Sequence, residues 1–426
     1  MYLFRNCVIL AFNKLFGAEF DRFRLGQLFF ISAVTFGLLF SDTTRKILII
    51  SSLFCLTKTQ IKENFYISWS TQQKTTGCIL LFLCLWIFFI PLFFGVDPIL
   101  IRLQSTGWGI ELFVFMWATL LFAKDFFFIE NIKKFAIITC ISYSVFALCQ
   151  RFSLGFVIDF SNWPMSLGAW SVGTILSVLL PWMLYDVIVE TSSKKTIFLL
   201  FALTVTSIVL FLTLYTTFWL VLLIYMAIVL CIMGLFFKDY FQKLFFLMIL
   251  LSIIVIVALY CASHFYKNLY DGLFIQFSQL SLSEFNAEKF TNSRYHIWVE
   301  AVNFINLRPI LGYGWAEFAD FSVEQRGHTH CAFLQAAWTA GWPAMVLLIS
   351  FLMNLTYRCL SLMKKQGKLL IVPFVVLLVI LAYFACGALD DMFRATRRIV
   401  TLYWVTFMLM LTPLVDYNEA DSDANL

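Results

Sequence analysis

Apolar stretches long enough to cross a lipid bilayer recur along almost the whole chain. A helix that crosses the hydrocarbon core needs about 20 predominantly apolar residues. The composition agrees with repeated crossings, because 62% of the residues are hydrophobic and only 13% are charged. A water-soluble core could not hide so much apolar surface. We therefore predict an all-α, polytopic bundle of about twelve transmembrane helices, at residues 25–41, 46–57, 77–96, 108–123, 133–152, 166–187, 196–213, 217–237, 243–263, 331–356, 369–388 and 398–415.

The orientation of this bundle is predicted from the basic residues between the spans. Eighteen of the 30 Lys and Arg residues fall on one side, whereas the short connections of the other side hold seven. Because basic residues concentrate on the cytoplasmic side, we expect both termini to be cytoplasmic. The chain then divides into an N-terminal transmembrane region of about nine helices, one large outer loop, a C-terminal transmembrane region of about three helices and a tail. These four parts are residues 1–263, 264–330, 331–415 and 416–426.

Other sequence features narrow the class of protein further. The first twenty residues include Arg5, Lys14 and Glu19 and lack a cleavage site, so they are interpreted as an interfacial amphipathic segment rather than a signal peptide. The 11 cysteines show no CxxC or Cys/His metal spacing. We therefore expect no disulfide framework, no metal and no cofactor. The net charge of +5 is scattered between the spans, so nucleic acid is not an expected partner.

One polar segment, from Asn292 to Gln335, departs from this apolar pattern. Ionisable groups so close to hydrocarbon are costly, and a cluster of them is a functional hypothesis by default. The segment contains three of the four histidines and three arginines: His296, His328, His330, Arg294, Arg308 and Arg326.

An amphipathic helix is predicted over residues 293–307. Its apolar positions follow helical spacing, Ser293 is a suitable cap, and Pro309 ends the helix. The apolar positions are Ile297, Ala301, Val302, Ile305 and Leu307. Gly312 and Gly314 then predict a tight turn.

The residue types of this segment indicate a chemistry. An arginine guanidinium presents a rigid fork of donors that matches phosphate oxygens. Histidine is the side chain that takes or gives a proton near neutral pH. Together, at the outer membrane surface, they suit a lipid-linked phosphate or diphosphate whose acceptor hydroxyl must lose a proton.

The order of these residues resembles the signature of the O-antigen ligase and polymerase superfamily. The matching pattern is Arg294-x-x-x-Trp298, then Arg308-Pro309-x-x-Gly312-x-Gly314, then His328-x-His330-x-x-x-Leu334-Gln335 and Gly341. Single elements of this pattern are weak, but the ordered combination over about sixty residues is fairly specific. About twelve helices with one large periplasmic loop also fit this superfamily.

The resemblance implies a metal-independent, inverting glycosyltransferase of the bacterial inner membrane. Such enzymes move a glycan from undecaprenyl diphosphate to an acceptor hydroxyl at the periplasmic face. In ligases the acceptor is the lipid A–core oligosaccharide, and in polymerases it is another lipid-linked repeat unit. Carried over by position, Arg294 binds the diphosphate and His330 acts as the base or positions the acceptor. His328 matches a histidine that only some relatives have.

Two departures from the superfamily pattern bear on this expectation. Cys331 follows His330 where relatives usually have Asn, and the stretch Thr213–Thr217 lacks the arginine that relatives often carry at the end of an earlier helix. A second diphosphate-binding arginine must therefore come from elsewhere. The candidates are Arg151, Arg308, Arg326, Arg394, Arg397 and Arg398.

Two rival functions remain at this point. A polymerase of the same superfamily differs only in its acceptor. A transporter or lipid flippase, which performs no chemistry, predicts inverted repeats and ionisable groups near the middle of the bilayer. No internal repeat is evident, and the charges cluster on one face, which argues against the transporter. The sequence does not separate ligase from polymerase, and an O-antigen ligase is taken as the leading hypothesis.

Overall fold

The computed structural model describes residues 22–35, 42–56, 69–123, 125–154, 168–190, 192–237, 294–322, 328–366, 369–389 and 397–412, with single residues between 241 and 271. No residue within these ranges belongs to a strand. The helices whose bounds are described are α1 Arg22–Val34, α2 Asp42–Phe54, α3 Thr71–Phe94, α4 Ile99–Phe122, α5 Phe126–Ser153, α6 Ala169–Val189, α7 Ser193–Leu212, α8 Thr216–Phe236, α9 Arg294–Leu307, α10 Ala332–Gln366, α11 Ile371–Leu389 and α12 Arg397–Met408. Short 3-10 helices follow at Phe318–Asp320 and Leu409–Leu411.

Local capping chemistry explains where two of the long helices begin. The Ser70 hydroxyl accepts from the N–H of Gln73 at 3.3 Å, and the Gln73 side chain accepts from the N–H of Ser70 at 2.8 Å. This reciprocal capping box starts α3. Asp125 starts α5 in a similar way, because its carboxylate accepts from the N–H of Phe128 at 3.0 Å.

Helices α6 and α11 form the centre of the bundle. Most side chains of both are buried, and α11 packs against α6, α8, α10 and α12. Helices at the periphery instead keep apolar groups outward. On α3, Phe82 and Phe93 are 64% and 65% exposed. Since a transmembrane helix satisfies its backbone internally, such a face is suited to contact with lipid.

The predicted helical class is confirmed, whereas the number of crossings is not established. Seven described helices are long and apolar enough to span a membrane, namely α3, α4, α5, α6, α7, α10 and α11. The span predicted at 46–57 corresponds to α2, whose 13 residues are too few for a full crossing. The span at 243–263, residues 1–20 and the tail at 416–426 lie wholly or mostly outside the described residues. The division into four parts stays a prediction.

Helix α10 is interrupted near its first third. Ala340 (φ −141°, ψ 28°) and Gly341 (φ 77°, ψ 173°) leave the helical region, so the helix consists of segments 332–339 and 342–366. The sequence predicted one continuous span at 331–356. The residues that follow α9 dock at this break, at the same end of the bundle as the α3–α4 connection. We call this end of the molecule the loop end.

Candidate functional site

The apolar stripe of α9 packs against the first segment of α10. Ile297, Ala301 and Ile305 are buried against a cluster that includes Ala337 and Trp338. The predicted amphipathic helix is therefore present, and α9 ends before Pro309 as expected. Its stripe is narrower than predicted, because the last apolar position, Leu307, is 73% exposed.

The contact between α9 and α10 brings the two leading sequence candidates to the same end of the helix pair. The Trp342 indole N–H donates to the Asn306 side-chain oxygen at 3.1 Å. Leu334 packs into the same cluster as Ile297. The two helices therefore run in the same direction. The start of α9, at Arg294, and the start of α10, which His330 precedes by two residues, therefore lie at the same end of the helix pair.

Arg294 also reaches a third helix. Its guanidinium donates to the carbonyl of Leu389, the last residue of α11. A helix C-terminus carries unsatisfied carbonyls and a partial negative charge, so a cation there is favourable. Trp298 lies one turn further along α9, on the same side as Arg294, as the R-x-x-x-W spacing predicts. The Trp298 indole N–H has no hydrogen-bond partner among the described residues.

A short turn between His328 and Cys331 precedes α10. His330 adopts a left-handed backbone conformation, with φ 50°. Its N–H donates to Nδ1 of His328 at 3.3 Å, and the two imidazole rings lie 4.0 Å apart. Because a backbone N–H only donates, Nδ1 of His328 is the acceptor, and a neutral His328 carries its proton on Nε2.

Buried groups hold this turn from both sides. The N–H of Thr329 donates to Oε1 of Gln335 at 3.1 Å, and the Thr329 hydroxyl donates to the carbonyl of Cys331 at 3.0 Å. The same Cys331 carbonyl accepts from the backbone N–H of Gln335 at 2.8 Å. Thr329 and Gln335 are fully buried. Cys331, which stands where relatives usually have Asn, therefore places a small buried side chain next to His330 and holds the turn through its backbone carbonyl.

The glycine-containing segment after α9 docks into the break of α10. The N–H groups of Tyr313 and Gly314 donate to the carbonyls of Trp338 at 2.7 Å and Thr339 at 3.0 Å. These carbonyls belong to the end of the first helical segment, where no intrahelical partner is available. The docked segment thus caps a helix end that would otherwise be buried without partners.

Two glycines make this close approach possible. Gly312 and Gly341 have φ values of 64° and 77°. A Cβ atom on Gly312 would lie 2.6 Å from the carbonyl oxygen of Trp338, and one on Gly341 would lie 2.4 Å from that of Ile310. The sequence predicted a tight turn at Gly312 and Gly314. It did not predict that Gly341 would complete the turn from another helix.

Arg308 lies at the far end of α9 and has a local structural role. Its guanidinium donates to the carbonyl of Phe94 at 2.9 Å, at the end of α3, and lies 5.6 Å from the centre of the Tyr313 ring. Burial raises the pKa of the Tyr313 phenol, while nearby Arg308 acts in the opposite direction. Since α9 rises 1.5 Å per residue, Arg308 is roughly 21 Å along the helix from Arg294. The structure therefore does not bring these two arginines to one phosphate group.

Asp97 is part of the loop end that the sequence reasoning missed. It is 3% exposed, and its carboxylate accepts from the N–H of Trp315 at 2.7 Å. Its carbonyl accepts from Arg102 at 2.7 Å. The sequence feature that could have indicated its role is a lone carboxylate in the short connection Gly95–Pro98, between two apolar spans.

The remaining arginine candidates are not brought together within the part of the chain that the structure describes. Arg151 is buried, at 4% exposure, in the last turn of α5. Arg326 and Arg394 lie outside the described residues. Arg397 and Arg398 begin α12, but their side chains are not described. The source of a second diphosphate-binding arginine stays open.

A second buried charge that the sequence reasoning did not single out lies next to a cavity beside Trp315. Arg45 is fully buried, contacts Glu111 at 2.6 Å and donates to the Thr401 hydroxyl at 3.2 Å. Glu111, a carboxylate inside the span predicted at 108–123, was the sequence feature that could have indicated this pair. The cavity, which is partly open, is lined by Leu83, Cys84, Ile87, Phe88, Gly109, Glu111, Leu112, Trp315, Val400, Thr401 and Trp404.

These features define a multi-pass helical membrane protein with a polar, histidine- and arginine-containing site at one end of its bundle. Residues 198–349 match the model of the O-antigen ligase family, which confirms the resemblance to the O-antigen ligase and polymerase superfamily. Members of the family are membrane enzymes that resemble glycosyltransferases. No curated protein matches the chain. The match includes α9 and the His328–Cys331 turn, whereas Arg151 and residues 394–398 fall outside it.

Proposed function

We propose that this protein is an O-antigen ligase that transfers a glycan from undecaprenyl diphosphate to a hydroxyl of the lipid A–core oligosaccharide. The observation that carries this proposal is that Arg294, at the start of α9, and the turn that holds His330, just before α10, lie at the same end of the α9–α10 pair. A diphosphate-binding cation and a proton acceptor thus belong to one end of the same helix pair. The family match at residues 198–349 supports the reaction class.

The proposed reaction is a direct displacement at the anomeric carbon. The acceptor oxygen forms the new glycosidic bond as the bond from the anomeric carbon to the diphosphate oxygen breaks, with inversion at that carbon. The hydroxyl proton passes to the His330 imidazole. Negative charge develops on the departing diphosphate, and Arg294 neutralises it. His328 supports His330 through its backbone contact, and a second arginine from Arg151, Arg326, Arg394, Arg397 or Arg398 completes the diphosphate site.

We place the loop end at the periplasmic face of the bacterial inner membrane, with both termini in the cytoplasm. The distribution of basic residues supports this orientation. Lys133 near the start of α5 and Lys195 near the start of α7, which form ion pairs with Asp186 and Glu190, lie at the end of the bundle away from the loop end. A glycan acceptor exposed at the periplasmic face then has access to His330.

Purified protein in lipid nanodiscs tests the proposal. The donor, undecaprenyl-diphosphate glycan, and the acceptor, rough lipopolysaccharide, are offered separately and together. A glycosylated product that requires both substrates supports a ligase. Elongation of the donor alone indicates the polymerase of the same superfamily. Absence of product in every combination contradicts both and favours a transporter.

Variants of the two site residues test the assignment. We expect Arg294→Ala and His330→Ala to abolish transfer while membrane insertion and thermal stability stay close to those of the parent protein. Arg294→Lys keeps the charge but loses the bidentate fork, so partial activity is expected. His296→Ala is the matched control, because His296 is an exposed residue of the same helix. Full activity of both alanine variants overturns the site assignment.

A further inference from the structure

We propose that Gln335 is a positioning residue for His330, and that it acts through its side-chain oxygen. This inference rests on the proposed role of His330 in transfer. Gln335 lies in the first turn of α10, and its Oε1 accepts from the N–H of Thr329, the residue between the two histidines. The side chain thus joins the rigid helix to the turn that presents His330.

The turn needs such support because the backbone conformation of His330 is uncommon for residues other than glycine. His330 has φ 50°, a region in which a side chain crowds the backbone and which is adopted mainly by glycine. Residues held there persist only when their surroundings specify the conformation. The N–H of Thr329 is the group of the turn that is anchored on a side chain of α10.

The burial of Gln335 indicates that its oxygen has a specific task. The side chain is fully buried, and its Nε2 donor has no hydrogen-bond partner among the described residues. The orientation of the amide is clear, because the Thr329 N–H requires an oxygen opposite it. Burial of an unsatisfied donor is costly, and an apolar side chain of the same size would avoid that cost. A glutamine at this position is explained by the need for an acceptor.

Two substitutions distinguish the role of the Gln335 side-chain oxygen from that of the rest of the side chain. Gln335→Met keeps the length and removes the acceptor, whereas Gln335→Glu keeps an acceptor oxygen in the same place. For Gln335→Met we expect kcat of glycan transfer to fall on the order of 10- to 100-fold, because small misplacements of a catalytic group have effects of this size. KM for the donor is expected to stay unchanged, and Gln335→Glu is expected to restore most of kcat.

The matched control is Gln27→Met at the opposite end of the bundle. Gln27 is equally buried, and its Nε2 donates to the carbonyl of Phe122 at 2.7 Å and to Asp125 at 3.1 Å. We expect this variant to lower the melting temperature and to leave kcat unchanged. A merely structural role of Gln335 would give the same result as Gln27.

Cys331 provides a readout that does not depend on transfer activity. Its side chain is buried next to His330. In the full-length protein, the rate of Cys331 alkylation by a soluble maleimide is followed by peptide mass spectrometry. We expect faster alkylation in Gln335→Met, parent-like protection in Gln335→Glu and an intermediate rate in Thr329→Val, which loses the bond to the Cys331 carbonyl. Thr329→Val also replaces Gln335→Met if the latter fails to fold.

The outcomes distinguish this inference from the proposed function. Parent-like kcat together with protected Cys331 in Gln335→Met overturns the positioning role. Equal loss of kcat in Gln335→Met and Gln335→Glu also overturns it, because the donor rather than the acceptor would then matter. If His330→Ala retains activity, the proposed function fails, yet the alkylation rates still report whether Gln335 holds the turn.

Discussion

Single residues at the loop end adopt conformations that their neighbours impose. His330 and Gly341 both have positive φ values, and each belongs to a segment that receives hydrogen bonds or close contacts from another part of the chain. For Gly341 the constraint is steric as well as conformational, since the backbone of Ile310 leaves no space for a Cβ atom. The loop end therefore depends on individual backbone angles as well as on side-chain chemistry.

Gly341→Ala is expected to destabilise the protein by about 1–3 kcal/mol, because alanine must adopt a positive φ and displace the docked segment. The control is Gly107→Ala, an exposed helical position with no heavy atom within 4 Å of an added Cβ. This control is expected to be neutral or slightly stabilising. Thermal unfolding in detergent measures both variants. Equal melting temperatures would contradict the close contact with Ile310.

The buried ion pair beside the cavity gives a second prediction for individual residues. Glu111→Gln removes the charge that neutralises fully buried Arg45, so the free energy of unfolding is expected to fall by about 3–5 kcal/mol. Lys46→Met is the control, because Lys46 is 46% exposed and 3.6 Å from the same carboxylate; a change below about 1 kcal/mol is expected. Denaturant or thermal unfolding measures both variants. A larger loss of stability in Glu111→Gln than in Lys46→Met shows that the burial of the charge, and not the charge alone, determines the loss.

At the level of elements, α9 and the first segment of α10 act as one unit. Their apolar contact surface carries Arg294 and the His330 turn at one end and the docked Gly312–Gly314 segment at the other. A change in the packing of α9 is therefore expected to alter both ends together. Helical spacing in the sequence predicted α9 because the periodicity is local. The interruption of α10 was not predicted, since its cause is the segment that docks from outside the helix.

Ile305→Ala is expected to destabilise the loop end by about 2–5 kcal/mol, because it removes a fully buried side chain from the α9–α10 contact. Leu307→Ala, on the exposed side of the same helix, is the matched control and is expected to change stability by less than about 0.5 kcal/mol. Limited proteolysis of the segment after α9, together with thermal unfolding, measures the effect. Similar sensitivity of the two variants would show that α9 is not held by its apolar stripe.

At the level of the whole molecule, the loop end lies opposite the end of the bundle that carries Lys133 and Lys195. The centre between them consists of α6 and α11, most of whose side chains are buried. The proposed topology assigns the loop end to the periplasm and the ion-paired Lys133 and Lys195 to the cytoplasm.

Cysteine accessibility in intact cells tests this topology. Ile310→Cys lies at the loop end on a residue that is 58% exposed, and Ser193→Cys lies at an exposed position at the opposite end. A small cationic thiol reagent that does not cross the inner membrane is expected to label Ile310→Cys in intact cells and Ser193→Cys only after the membrane is permeabilised. Peptide mass spectrometry separates these sites from the native cysteines. The reverse pattern would invert the topology and contradict a periplasmic active site.

The sequence alone determined the helical membrane class, the amphipathic helix predicted at residues 293–307 and the ordered Arg/His motif. These properties depend on hydropathy and on local periodicity, which act over short stretches of chain. The tertiary structure decided which motif residues meet. It placed Arg294 at the end of α11, assigned Arg308 to the end of α3 and brought Gly341, Asp97 and Gln335 into the loop end. Contacts between residues distant in the chain arise from packing, and no local pattern specifies them.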